Sequence, residues 1–475
     1  MIICIFAEEN ELIYCDMNQK HAFQEVNESY TMAEAIQEAQ RCLHCKVPQC
    51  QKGCPISNDI PDWVHELSKG NLGNAISIIR AKSNLPAVCG RVCAHEKQCE
   101  GSCVLGKKGQ ALNIGKLERF VADFDSDNEL THEDIVEKKR GRVAVIGAGP
   151  SGITVAGDLS RMGFSVEIFE MEAQCGGVLR YGIPEYRLPK EVVAREIRYI
   201  EKMGVVIHRN THVGFDITID SLFGQGFDAI FIGTGLGKPK TLEIPIYRDG
   251  RCLSEGGGGI GCNDLKGVRK AAHFLRRVEL IQEGFMSPDE THVKPGAHVW
   301  VIGCGNTAMD ASRTALRIGA KRVDVVYHRG IDTMSALRAE YDDAVKEGVH
   351  FNWWSTIREI HVDDNQDITE IVLETAEPDK EPVRQTLPAE NVIMAIGAEP
   401  KTKIVRTTPG LENDERKFLI TRDIPYGMTT RKGVFAGGDV ANAQATVVHA
   451  MQNAKRVAEG IAQYVDAVKL MEAIS

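Results

Sequence analysis

The sequence predicts an α/β protein in which a helical, cysteine-rich N-terminal segment precedes two Rossmann-like dinucleotide-binding folds. Three observations predict it. Arg142–Glu170 reads in order as strand, glycine turn, helix, strand and acid. Gly296–Arg329 repeats that pattern with one change of glycine and a change of charge. Ahead of both, eight of the 14 cysteines fall between Cys42 and Cys103.

Composition sets the outer limits. A chain of 475 residues has room for roughly three domains. Apolar residues make up 43% and charged residues 26%, as in soluble globular proteins. A net charge of −10 argues against nucleic acid as the main partner. No apolar run approaches the ~18 to 20 residues of a membrane span, so no membrane role is expected. MIICIF at the start is short, lacks a basic flank and runs into Glu8, Glu9 and Glu11. It does not fit a signal peptide, and the expected location is cytoplasmic. In a reducing compartment, clustered cysteines point to metal before disulfides.

Residues 1–30 carry no usable pattern, and Cys4 and Cys15 read as inert thiols. Thr31 with Glu34 forms a capping box ahead of the helix formers AEAIQEAQ. That helix delivers the chain to Cys42, Cys45, Cys50 and Cys54, spaced C-x2-C-x4-C-x3-C-P. Thiolates close together on a turning loop can reach the corners of one cubane, and the closing proline resembles the bacterial ferredoxin run. Asn58–Lys69 reads as a short helix with Pro61 near its start. A second field holds Cys89, Cys93, Cys99 and Cys103. Eight thiols suit two [4Fe–4S] clusters. Zinc is the rival metal, but zinc ribbons usually pair two C-x2-C knuckles and only one occurs here.

Polar, charged residues 126–140 read as a linker. The first dinucleotide fold follows. Gly147 permits the turn, Gly149 lets a pyrophosphate approach, and Gly152 lets helix and strand pack. The helix N-terminus faces the phosphates and Glu170 accepts ribose hydroxyls. In CGGVLRYGIPEYRLPK, Gly176 and Gly177 allow close backbone approach, and Tyr181 with two prolines suits a rigid loop over a flat ring. Cys175 has no second cysteine nearby and reads as a bystander. Ala229–Gly235 is another buried strand ending in glycine, and residues 254–262 read as a flexible glycine-rich loop.

The second fold has Gly303 and Gly305, with Ala308 in the third glycine position. Its second strand ends in His328 and Arg329, where the first fold has Glu170. Cations there favour the 2′-phosphate of NADP, an acid the free hydroxyls of a ribose. A lone arginine in that place is also compatible with a solvated surface residue. The first fold therefore suits FAD and the second NADPH. Residues 351–395 alternate in the manner of strands. VFAGGD at Val434–Asp439 ends a strand ahead of a helix rich in small residues, where Asp439 either holds a ribityl hydroxyl or caps the helix. Pro150, Ser151, Gly177, Arg187, Gly438 and Thr446 complete the FAD candidates. Asn306, Thr307 and His328 complete those for NADPH. Hydride transfer needs no acid or base, so no catalytic side chain is expected.

RCLHCKVPQCQKGCP, CGRVC with CEGSC, GAGPSG, GGVLRYGIPEYRLPK, VIGCGNTAMD and FAGGD together resemble the glutamate synthase small (beta) subunit family. That family includes the large subunit of the NADH-dependent ferredoxin:NADP oxidoreductase and the N-terminal half of dihydropyrimidine dehydrogenase. The resemblance covers nearly the whole chain. It implies a helical domain at 1–125 with two [4Fe–4S] clusters, and an FAD domain at 141–265 and 395–475 interrupted by an NADPH domain at 266–394. It assigns Cys54, Cys93, Cys99 and Cys103 to one cluster. Cys42, Cys45 and Cys50 go to the other, with Glu118 as a carboxylate ligand where counting alone would choose Cys89. The chain departs from the family in having His328-Arg329 for two arginines and Met334-Ser335 for Met-Pro. The implied function is NADPH-fed electron input: hydride to FAD, then single electrons through the clusters to a glutamate synthase large subunit. The alternative is the flavin-bifurcating transhydrogenase, whose partners are a small flavoprotein subunit and ferredoxin. A non-enzymatic iron–sulfur sensor or scaffold is the reading from another class, and the intact second fold speaks against it.

Overall fold

A computed structural model describes residues 20–131, 136–254, 260–291, 293–444 and 446–474. Cys4, Cys15 and most of the glycine-rich loop lie outside the described residues. The chain forms two compact units, Glu25–Lys240 with Gly397–Ser475, and Thr241–Ile396.

The first unit combines helices with a sheet. Thr31 caps the helix Met32–Ala39, its hydroxyl accepting from the Glu34 amide at 3.3 Å while Glu34 accepts from the Thr31 amide at 2.7 Å. Helices Ile60–Ser68, Leu72–Lys82, Pro86–Val92 and Ile114–Asn128 follow. Trp63, Leu67, Ile76, Ile79, Leu117 and Val121 recur at helical spacing and are fully buried among them. Each such burial contributes about 1.5 to 3 kcal/mol. The last helix runs to Asn128, into the stretch expected as linker, because its apolar face continues through Phe120 and Val121 and Asp125 is anchored by Arg80.

The sheet has seven strands in the order Thr421–Asp423, Tyr426–Thr429, Val434–Ala436, Ala229–Ile232, Gly141–Ile146, Phe164–Phe169 and Val206–His208. From Val434–Ala436 onward neighbours are parallel, with Val143 opposite both Val166 and Ala229. Helices cover its faces, so Val143, Val145, Phe231 and Phe435 are buried, as the near-continuous apolar runs require.

The helical segment is fastened to this sheet by buried polar groups. Arg80 donates to Asp125 at 3.1 Å and to Glu196 at 3.2 Å, and stacks over the Tyr199 ring. The other Glu196 oxygen accepts from the Ala87 amide at 2.9 Å. Asn84 donates to Asp158 at 2.8 Å, on the helix Pro150–Arg161.

The second unit holds two five-stranded sheets. One is parallel, in the order His350–Trp353, Arg322–Tyr327, His298–Ile302, Asn391–Met394 and Val268–Lys270. In the other, Ser355–Val362, Ile368–Thr375 and Val383–Pro388 form an antiparallel meander. This unit begins at Thr241, ahead of the expected 266. Ile246 pairs with Ile360, and Cys262 and Leu265 are buried in the same core, so 241–265 packs with this unit. No helix among the described residues is long and apolar enough to cross a membrane.

Candidate functional site

In the first unit the glycine loop lies between the strand Gly141–Ile146 and the helix Pro150–Arg161. Gly147 has φ +98°, and a Cβ there would stand 2.9 Å from the Gly233 carbonyl oxygen. A Cβ on Gly152 would lie 1.9 Å from the Gly147 carbonyl oxygen, so close helix–strand packing requires this glycine. Gly149 differs: its backbone is ordinary and a Cβ would meet nothing within 4 Å. The protein's own packing does not demand glycine there, which is what a surface left clear for a ligand looks like. Gly177, with φ +54°, approaches it: a Cβ there would be 3.1 Å from the Gly149 Cα.

Two expected positions, Ser151 and Gly438, converge beside this loop together with Gly233. A Cβ on Gly438 would lie 2.7 Å from the Ser151 hydroxyl, and one on Gly233 2.9 Å from it. Pro150 opens the helix at its first turn, where the missing N–H costs nothing. Glu170 is buried, and its two oxygens accept from the amides of Ala148 at 2.7 Å and Glu172 at 2.9 Å. Burial pushes its carboxyl up, with those amides opposing the shift. Arg187 is buried in a loop held by Lys190, whose ammonium donates to the carbonyls of Leu179, Leu188 and Ile183.

Asp439 lies in the turn Gly438–Val440, and burial pushes its carboxyl up to about 6. The hydroxyl at the head of the helix Val447–Ile474 belongs to Thr446, which accepts from the His449 amide at 3.4 Å. Of the two roles weighed for Asp439, the capping contact is thus made by Thr446. Asn453 was not foreseen. Its oxygen accepts from the Gly438 amide at 2.8 Å and its amide donates to Tyr426 at 3.0 Å, fixing the FAGGD turn. An asparagine inside an alanine-rich helix was the available signal.

In the second unit Gly303, at φ +118°, repeats Gly147: a Cβ would be 2.4 Å from the Ala395 carbonyl oxygen. Asn306 accepts from the Leu337 amide at 2.9 Å, and Ser335 donates to the Cys304 carbonyl at 3.2 Å, folding 330–337 against the loop. Ala308 is fully buried at the third glycine position, and Thr307 is exposed on the first turn of the helix Asn306–Arg317. His328 and Arg329 are exposed at the end of the strand Arg322–Tyr327, with Arg329 5.4 Å above the Tyr327 ring.

The cysteines fall into two neighbourhoods. Cys42, Cys45, Cys50 and Cys103 line one pocket, with Ile60, Pro61 and Leu105. In the other, Cys93 is hydrogen-bonded to Cys89 and lies within electrostatic reach of Glu118 and Cys99. Cys54 and Cys99 sense Glu118 in the same way. This corrects the expected partition: Cys103 stands with Cys42, Cys45 and Cys50, and Glu118 with Cys54, Cys93 and Cys99. Helix Ile114–Asn128 turns Glu118 inward on the same face as Leu117 and Val121, whereas Cys103 ends its field and reaches the earlier loop.

These surroundings fit metal–sulfur ligation. Glu118 is buried, and burial, then the Glu196 carboxylate, pushes its carboxyl up to about 8. A buried carboxylate is costly unless it is hydrogen-bonded or meets a metal. Burial likewise pushes Cys50 up to about 11 and Cys54 up to about 12, so ligation would be coupled to loss of thiol protons. No three His, Cys, Asp or Glu side chains among the described residues converge on one ion. Zinc needs its ligands crowded about 2.3 Å from a single centre, whereas cubane ligands each bind a different iron.

Residues 19–130 match the dihydropyrimidine dehydrogenase domain II, 4Fe-4S cluster family. Residues 141–454 match the pyridine nucleotide-disulphide oxidoreductase family. The glutamate synthase [NADPH] small chain of Halomonas elongata is 33% identical over 461 residues, covering 94% of this chain and 93% of that one. The chain belongs to the glutamate synthase small-chain family. The Escherichia coli small chain is likewise 33% identical, over 94% of this chain and 95% of that one. A solved structure of Mycobacterium tuberculosis FprA in complex with NADPH shares the fold, at TM-score 0.53 and 18% identity, over 70% of this chain and 86% of that one. Like its family, this chain is an NAD(P)H-dependent oxidoreductase with a 4Fe-4S domain ahead of its FAD and NADP folds.

Proposed function

We propose that the chain is the electron-input small subunit of an NADPH-dependent glutamate synthase, delivering electrons to a large-subunit partner. The observation that carries this reading is the pairing of two cysteine neighbourhoods with two glycine loops in one chain that matches the small chains over 94% of its length. FAD would be held at Gly147, Gly149, Pro150, Ser151, Gly152, Glu170, Gly177, Arg187, Gly438, Asp439 and Thr446. NADPH would be held at Gly303, Gly305, Asn306, Thr307, Ala308, His328 and Arg329. Cys42, Cys45, Cys50 and Cys103 would ligate one [4Fe–4S] cluster, and Cys54, Cys93, Cys99 and Glu118 the second. When bound, these cofactors supply conversion of an electron pair from the nicotinamide into single electrons.

The chain's own residues place and tune. Gly149 and the amides at the start of Pro150–Arg161 receive a pyrophosphate. Glu170 stays anchored by the loop amides as it meets the ribose. Arg329 offers the second loop a cation suited to a 2′-phosphate. Glu118 brings one carboxylate into a thiolate set, and ligand type is one of the protein's means of setting a cluster's potential.

The test is reconstitution with the large chain from the same source. NADPH-driven, glutamine-dependent glutamate formation that needs both chains supports the reading. Co-purification instead with a small flavoprotein, and ferredoxin reduction that requires both NADPH and NAD, would replace it with the transhydrogenase.

A further inference from the structure

The two cysteine neighbourhoods differ in depth. Cys89, Cys99 and Glu118 are buried, while Cys54 and Cys93 beside them are half-buried. That group faces the sheet side of its unit: the Cys89 thiol points to the Met451 sulfur at 3.7 Å, on the long C-terminal helix. Gln452 of the same helix donates to the Pro55 carbonyl at 2.7 Å, one residue beyond Cys54. In the first neighbourhood no thiol is buried: Cys42, Cys45 and Cys50 sit half-buried on a loop that surfaces between them. Leu43, which lines their pocket, is 60% exposed, and Val47 beside it is 57% exposed.

Four lysines lie next to the residues of this apolar mouth along the chain. Lys46 adjoins Cys45, Lys52 lies on the helix Gln49–Gly53, and Lys107 and Lys108 follow the pocket residues Val104 and Leu105. All four are exposed, and no carboxylate among the described residues pairs with them. Asp62, close by, faces His44 at 4.0 Å. A chain of net charge −10 thus carries four exposed lysines close in sequence to these thiols.

We propose that this surface, Leu43 and Val47 with the neighbouring Lys46, Lys52, Lys107 and Lys108, is the electron exit and docks an acidic protein surface. The inference rests on reading the Cys42, Cys45, Cys50 and Cys103 pocket as a cluster site. An apolar centre with a charged rim is how transient redox partners meet: the centre excludes water and the rim sets approach and orientation. The rim's sign selects an acidic partner and makes encounter salt-dependent. The buried group, closer to the C-terminal helix, is the inner relay. Its Cys99 and Glu118 are buried.

The holoenzyme can be tested with two haem proteins of opposite charge, acidic cytochrome b5 and basic cytochrome c, with NADPH as donor. One NADPH loses two electrons and yields NADP+ and a proton, and two haem irons pass from Fe(III) to Fe(II). Reversing Lys107→Glu with Lys108→Glu, outside the cysteine loop, should slow cytochrome b5 reduction roughly tenfold at low salt and speed cytochrome c reduction, with both effects fading at high salt. Lys46→Glu should act in the same direction. Bleaching of the flavin by NADPH, read in the same sample, should not change. If wild-type flavin does not bleach, the electron-input reading itself fails. If it bleaches but charge reversal alters neither haem protein's rate, or shifts both equally, the exit lies elsewhere.

Discussion

The two glycine loops share a backbone and differ in what stands at the end of the following strand. In the first, the Glu170 carboxylate is buried and binds the loop amides of Ala148 and the bend amide of Glu172. In the second, His328 and Arg329 occupy the corresponding place and are exposed. The third position differs too: Gly152 admits no Cβ, while Ala308 is accommodated. One supersecondary unit thus serves two nucleotides. Steric need in the loop is common to both, and the charge after the second strand distinguishes them.

The comparison breaks most readily at the third glycine. Gly152→Ala puts a methyl 1.9 Å from the Gly147 oxygen and should cost about 3 kcal/mol, with near-complete loss of flavin from the purified protein. Ala308→Gly should leave flavin content unchanged and lower stability by about 1 kcal/mol, as for any helical alanine-to-glycine change. Gly149→Val separates ligand room from packing. Its Cβ meets no protein atom within 4 Å, so denaturation of the flavin-free protein should change far less than in Gly152→Ala while FAD binding falls at least a hundredfold by titration.

A smaller effect tests the charge. Arg329→Ala should raise the KM for NADPH roughly 30-fold, about 2 kcal/mol, and leave that for NADH within about twofold. Equal loss with both nucleotides would make Arg329 a surface residue. A pH effect of similar size is expected at Asp439. Its folded-state carboxyl titrates near 6, above its ordinary value, so the folded chain holds that proton more tightly than the unfolded chain. Stability is therefore present at low pH and lost as pH rises through about 6. Asp439→Asn should stabilise the flavin-free protein by about 2 kcal/mol at pH 7.5, after allowance for partial exposure, and change nothing near pH 3.5. Thermal unfolding across that range reads it directly.

Both loops were legible in the sequence because they are local: the glycine spacing, the apolar strands and the terminal charge lie within about 30 residues. Thr31–Glu34 and the helix opened by Pro61 were readable for the same reason. The partition of the cysteines was not. Cys103 reaches a pocket formed by Cys42, Cys45 and Cys50, and Glu118 turns inward on a helix face that only packing selects. Spacing along a chain cannot say which of two adjacent fields folds back. Asn453 and Lys190 escaped for a related reason. Each satisfies backbone groups of a distant or irregular turn, and no periodicity marks such a residue.

In the proposed function, one chain takes electron pairs from NADPH and holds them as single electrons on two separate clusters with the ligand sets given above. Anaerobic reduction of the holoprotein with NADPH, followed by electron paramagnetic resonance of the wild type, Cys103→Ala and Cys54→Ala, tests it most directly. The account predicts a bleached flavin and two cluster signals, one lost in Cys103→Ala and the other in Cys54→Ala. Loss of the same signal in both variants, or a flavin that stays oxidised, would contradict it.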